Sequence, residues 1–116
     1  MLVRVIPLGN IPPKILELVC SGLEDVFRSK FRIMEPQSIP DDSMNIWRKQ
    51  HDADKILLHI SKMPAAKFID KTIPTLILTD IDIFYKGLNF VFGIEDATQG
   101  VCLVSMSRLK QEFYDQ

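Results

Sequence analysis

The chain has 116 residues, 47 % hydrophobic and 25 % charged, which is ordinary composition for one folded domain with its own core. Lys plus Arg number 14 and Asp plus Glu 15, so the formal net charge is −1 and no basic excess exists to neutralise a phosphate backbone. No run of 18 apolar residues is present to span a bilayer, so neither nucleic acid nor membrane is an expected partner. Met1 to Ile6 is too short for a secretory apolar region and breaks at Pro7. Two cysteines, Cys20 and Cys102, make no disulfide framework, and a reducing, cytoplasmic setting is expected.

In chain order, Leu2–Leu8 is apolar and β-branched and predicts a strand. Pro12 and Pro13 then open a helix, since proline is tolerated in the first turn. Ile15, Leu16, Val19, Leu23, Val26 and Phe27 recur at steps of three and four and carry one apolar stripe to about Arg28. Phe31–Met34 predicts a short second strand. The segment 35–45 holds Pro36, Pro40, Asp41, Asp42 and Ser43 and predicts a loop. A second helix is expected from Ile46 or Trp47 to about Lys62, burying Ala53, Ile56, Leu57 and Ile60. Thr72–Tyr85 is the most apolar stretch and predicts one strand buried on both faces. Leu88–Phe92 predicts a short strand between Gly87 and Gly93, 95–100 a polar turn, and Val101–Met106 a last strand. A short connection makes the last two strands antiparallel, with the glycine-bracketed one at the edge. The tail from Ser107 is polar apart from Leu109, Phe113 and Tyr114. The expected fold is α/β over 1–116, a mostly parallel twisted sheet of about five strands with one antiparallel edge strand and at least two helices.

Side chains able to carry chemistry are sparse. His51 and His59 stand eight apart in a predicted helix, about 12 Å of rise, too far to share a zinc ion. Asp80 and Asp82 alternate along the predicted central strand and share a face near its C-terminal end, where open α/β sheets bind ligands. They read as a metal or acid–base pair, or as solvated strand-end carboxylates. Cys20 and Cys102 behave as small hydrophobes. Ser105 and Ser107 lack the Gly-x-Ser-x-Gly turn of a nucleophile, and no phosphate-binding glycine loop is present. The edge segment Gly87–Gly93 can take up an extended peptide by strand addition, with Phe90 and Phe92 on one face.

Three stretches carry a further signal: Thr79-Asp80-Ile81-Asp82-Ile83-Phe84, Gly87-Leu88-Asn89-Phe90-Val91-Phe92-Gly93 and Val104-Ser105-Met106-Ser107-Arg108-Leu109. Together with Val5-Ile6-Pro7-Leu8-Gly9 and with Arg48, Gln50, Ala53, Leu57 and Leu58, they resemble the archaemetzincins, metzincin-like zinc-dependent metallopeptidases. The resemblance spans nearly the whole chain. It implies a metzincin-like upper, N-terminal subdomain whose antiparallel edge strand forms the rim of a substrate cleft. By that resemblance, main-chain groups of Leu88, Asn89, Phe90, Val91 and Phe92 hold a peptide or protein substrate. It also implies zinc in the complete peptidase. The family's His-Glu-x-x-His-x-x-Gly-x-x-His motif is absent from these 116 residues, so no catalytic or metal residue is assigned and no zinc is expected in this chain alone. Lys86 stands where the family commonly has proline.

The expected function is therefore the scaffold and substrate rim of a zinc metallopeptidase, inactive by itself. The alternative is a non-catalytic interaction module on the same scaffold, forming a homo-oligomer through the rim strand or the Phe113–Tyr114 tail. An unrelated small ligand-binding domain with Asp80 and Asp82 as its site is a third reading.

Overall fold

The computed structural model describes residues 2–62, 73–96 and 100–109. Among these residues, eight strands and two α-helices succeed one another as β1 Leu2–Leu8, α1 Pro13–Phe27, β2 Lys30–Ile33, β3 Met44–Asn45, β4 Gln50–Asp52, α2 Ala53–Ser61, β5 Thr75–Thr79, β6 Ile83–Phe84, β7 Gly93–Asp96 and β8 Val101–Ser105. The main sheet has the order β2-β1-β5-β8-β7. Its first four strands are parallel, and only β7 runs antiparallel, against β8. The expected fold class holds.

The two helices cover opposite faces of this sheet. Val5 and Leu78 pack with Leu16 and Cys20 of α1. Ile6, Leu8, Ile77, Val101 and Leu103 pack with Ala53, Ile56, Leu57 and Ile60 of α2. Alternation along each strand sends one set of side chains up and the other down, so these strands read as near-continuous apolar runs. Pro13 opens α1, and Arg28 ends it in the left-handed conformation (φ 52°), its N–H on Glu24 O at 2.8 Å. The last turn of the predicted stripe stays outside the core: Val26 and Phe27 are exposed.

Three expectations need correction. The second helix starts at Ala53 rather than at Ile46 or Trp47. Asn45 Oδ1 accepts from Trp47 N–H and Arg48 N–H, which turns the chain and lets β3 pair antiparallel with β4. Asp52 is the true N-cap, its Oδ1 accepting from Asp54 N–H at 2.9 Å. Trp47 is consequently 95 % exposed at the hairpin tip.

The single strand expected over 72–85 is two strands. Residue 72 lies outside the described residues. The ladder ends where Met106 N–H meets Thr79 O at 2.8 Å. Residues 80–82 then carry the chain into a second, three-stranded sheet of order β3-β4-β6. There His51 and Asp52 pair with Ile83 and Phe84.

The antiparallel edge strand is Gly93–Asp96, not Leu88–Phe92. Leu88 N–H closes a turn on Tyr85 O at 2.8 Å, and Gly87 supplies the positive φ of 85° that this turn needs. Val91 N–H bridges to Ile83 O at 3.1 Å, so the segment belongs to the smaller sheet's margin until Phe92. Gly93 admits the closest approach to β8, since a Cβ there would lie 3.0 Å from Leu103 O. The expected turn at 95–100 therefore begins no earlier than residue 97, and 97–99 lie outside the described residues, as do Phe113 and Tyr114. Among the described residues, no helix is long and apolar enough to cross a membrane.

Candidate functional site

The C-terminal ends of the parallel strands β1, β5 and β8 open on one side of the sheet, the place where α/β folds gather ligand-binding residues. There the chain leaving β5 meets the hairpin β3–β4 and the turn after β8. Asp82 is the meeting point. Arg108 approaches it with both arms of its guanidinium, Nε on Oδ1 and Nη2 on Oδ2, each at 2.9 Å. Gln50 Nε2 donates to Oδ2 at 3.0 Å. Burial pushes the Asp82 carboxyl up. The hydrogen bonds from Arg108 and Gln50, with the charges of Arg108 and Arg48, outweigh burial and hold it below the ordinary carboxylate range.

The same cluster grips the segment 85–92. Arg48 Nη2 donates to Leu88 O at 2.8 Å and to Asn89 O at 2.9 Å. Gln50 Nε2 also reaches Asn89 O, at 2.8 Å, and Gln50 Oε1 accepts from Arg48 Nε at 2.9 Å. Each guanidinium stacks on a ring, Arg48 on Phe84 at 4.1 Å and Arg108 on Phe90 at 3.9 Å. Phe90 meets Phe92 edge to face at 5.2 Å.

These contacts decide which main-chain groups of 88–92 remain open. The carbonyls of Leu88 and Asn89 are taken by side chains, the N–H groups of Leu88 and Val91 by carbonyls, and Phe92 O accepts from Ser105 N–H at 2.8 Å. That last bond sets the phase of the edge strand. In an antiparallel pair, bonded residues alternate with unbonded ones. Phe92 opposite Ser105 is bonded, so Ile94 opposite Leu103 is bonded too, and Gly93 and Glu95 turn their N–H and C=O groups outwards. Among the described residues nothing pairs with this side of β7. A cleft of about 360 Å³ lies beside it, lined by Asp54, Leu57 and Leu58 of α2 and by Tyr85, Ile94 and Glu95. Leu88 and Phe92 are half-exposed at the near end of this edge.

The other sequence candidates resolve differently. Asp82 is committed to Arg108 and Gln50, so it does not form an open carboxylate pair with Asp80, which sits half-buried two residues earlier. His51 lies on β4 and His59 on α2, not on one helix. Ser43 Oγ donates to Pro40 O at 2.7 Å, which uses its only proton, so His51 Nδ1 is the donor in the 2.8 Å contact between them. Ser43 is 1 % exposed and anchors the hairpin rather than meeting a substrate. Burial pushes the His51 imidazolium pKa down and the thiol pKa values of Cys20 and Cys102 up, with Glu24 and Glu95 adding to the respective shifts. Both thiols are unpaired and suit a packing role. Zinc needs three or more converging His, Cys or carboxylate ligands. No such group occurs among the described residues, and those side chains do not by themselves compose a zinc site.

Arg48, Gln50 and Arg108 were not singled out as a cluster from sequence. A helix assigned to residues 46–52 hides the turn and short strand that bring Arg48 and Gln50 to the same Asn89 carbonyl, and the partnership with Asp82 spans 32 residues from Gln50 and 26 from Arg108.

No family model matches the chain. The archaemetzincin of Pyrococcus furiosus is 31 % identical over 124 residues, covering 99 % of this chain and 61 % of that protein. The structure of a zinc-dependent peptidase from Methanocorpusculum labreanum superposes with a TM-score of 0.79 at 24 % identity, over 98 % of this chain and 68 % of that one. The archaemetzincin of Archaeoglobus fulgidus, complexed with malonate, gives 0.76 at 24 % identity, over 99 % of this chain and 66 % of that one. These structural likenesses bear on the fold, and they agree with the parallel sheet and its antiparallel edge. The chain is thus similar in sequence to the archaemetzincins, spanning 61 % of the Pyrococcus furiosus protein, and shares the fold of the solved structures.

Proposed function

We propose that residues 1–116 form the peptide-holding, N-terminal subdomain of an archaemetzincin-type zinc metallopeptidase. One observation carries this reading: β7 ends the sheet with the main-chain groups of Gly93 and Glu95 turned outwards. An extended peptide adds to such an edge as one more strand, main chain giving affinity and neighbouring surfaces accepting alternate side chains. Leu88, Asn89, Phe90, Val91 and Phe92 lead into the edge. Their share in holding substrate comes from the exposed Leu88 and Phe92 side chains. The cleft beside α2, with its mixed lining of Leu57, Ile94, Asp54 and Glu95, accepts a side chain of the peptide.

A zinc ion in a metallopeptidase polarises the scissile carbonyl and supplies activated water. This sequence has no His-Glu-x-x-His and its described residues offer no zinc ligand set, so we assign it the binding of peptide and no step of hydrolysis. The unpaired thiols of Cys20 and Cys102 support a reducing, cytoplasmic setting. The formal charge of −1 supports a peptide rather than nucleic acid as partner.

Titration of the ¹⁵N-labelled chain with a blocked hexapeptide of alternating Thr and Ala tests the edge. Saturable amide shifts confined to Phe92, Gly93, Glu95 and their neighbours are expected. Shifts confined to β2, at the opposite edge, would remove the reading. Zinc calorimetry tests the other half, and no stoichiometric, sub-micromolar binding is expected. Such binding, with hydrolysis of the peptide, would show a metal centre in the chain.

A further inference from the structure

Residues 85–92 connect β6 to β7 without regular structure of their own, and segments of this kind are mobile unless something ties them down. Among the described residues the main chain supplies three ties, Leu88 N–H to Tyr85 O, Val91 N–H to Ile83 O and, at the far end, Ser105 N–H to Phe92 O. The others are side chains from an element some forty residues earlier. Arg48 reaches two consecutive carbonyls with one nitrogen, and its plane is fixed by Phe84 beneath and by Gln50 Oε1 at its edge. Gln50 is 5 % exposed, and its amide is fully used: the oxygen accepts from Arg48, and the two N–H groups go to Asp82 and Asn89. Asn89 stands four residues before Gly93, and the Phe90–Phe92 contact stiffens the stretch between them. A shift of the Asn89 carbonyl therefore carries to the start of β7.

We propose that Arg48 and Gln50 are positioning residues, clamping the Leu88 and Asn89 carbonyls and so setting where β7 presents its outward edge to a peptide. The inference rests on the peptide-binding reading given above. Arg48 and the two carbonyls it binds lie at the exposed surface, where such bonds add little to global stability, so their loss is felt locally rather than as unfolding.

The full 116-residue chain is compared with Arg48→Met, which keeps the stem and removes the donors, and with Arg48→Lys, which keeps a charge and donors able to reach the carbonyls. Amide exchange and binding of the blocked Thr–Ala hexapeptide are both read by NMR. Arg48→Met is expected to speed exchange at Leu88 and Val91 by about tenfold, as local opening without global loss would, while Ile77 and Leu103 stay unchanged. It is expected to weaken the peptide by about fivefold, the scale of one lost hydrogen bond, and Arg48→Lys to recover part of both effects. Exchange and affinity both within about twofold of the parent would overturn the proposal, since that is below the scale of one hydrogen bond. Faster exchange with unchanged affinity would overturn it too, as would unfolding of Arg48→Met, which would make the clamp a fold element. If the parent itself fails to bind the peptide, the peptide-binding reading falls and with it the positioning of a peptide edge, while the exchange rates still report whether the clamp holds the segment.

Discussion

Replacing Ile77 with alanine is expected to lower the unfolding free energy by about 2–5 kcal/mol, the range for large core truncations. Ile77 is fully buried at the centre of β5. Its register partners are Ile6 on one side and Leu103 on the other, and all three point into the core beneath α2. The neighbours belong to strands held in a hydrogen-bonded ladder and cannot close on the cavity, so the upper half of the range applies. Urea unfolding followed by circular dichroism measures it. A loss below about 1 kcal/mol would mean a site able to collapse, which a central parallel strand is not.

Asp82→Ala is the second large effect, expected at about 2–3 kcal/mol, because it removes the charged acceptor of the two-armed Arg108 contact and of one Gln50 N–H. The side chains of Asp82 and Arg108 are 16 % and 23 % exposed, which keeps the cost below that of a fully buried pair. Asp82→Asn separates charge from shape. Burial raises the carboxyl, but its hydrogen bonds and the facing arginines leave it below the ordinary carboxylate range. A depressed carboxylate stabilises the fold above its unfolded pKa, and the contribution is lost as pH falls through the folded pKa. The parent is therefore expected to lose stability steeply below about pH 4, and Asp82→Asn to lose less over the same window. His51 adds an earlier slope: burial lowers its pKa from 6.5, so its neutral form favours the fold and acidification below that value opposes it. Equal acid slopes for parent and Asp82→Asn would show that the Arg108 pair does not act as described.

The main sheet was largely legible in the sequence because its signals are local. Leu2–Leu8, Val101–Met106 and the apolar middle of 72–85 are β-branched runs, and the rule for parallel crossovers does the rest. The smaller sheet was not legible. Its strands have two or three residues, too short for periodicity to show, and they exist because His51 N–H finds Asp82 O across the fold. An aspartate followed by Ala53 and Asp54 was a visible helix start at Asp52, but the apolar Ile46 and Trp47 outweighed it, and both proved to be exposed. The edge strand lies five residues later than its sequence signal for a similar reason. Phe90, Val91 and Phe92 have strand-like composition, whereas Gly93-Ile94-Glu95-Asp96 does not. Pairing with β8 decided it, with Gly93 allowing the close approach. The side chains that hold segment 88–92 come from elements that only the tertiary fold brings together.

Native-state hydrogen exchange along β7 tests the open edge most directly. Ile94, bonded to Leu103 across the pair, is expected to be protected, and Gly93 and Glu95, facing outwards, to exchange at rates close to those of unstructured amides. Equal, strong protection at Gly93, Ile94 and Glu95 would mean that the edge is already covered and would contradict the account.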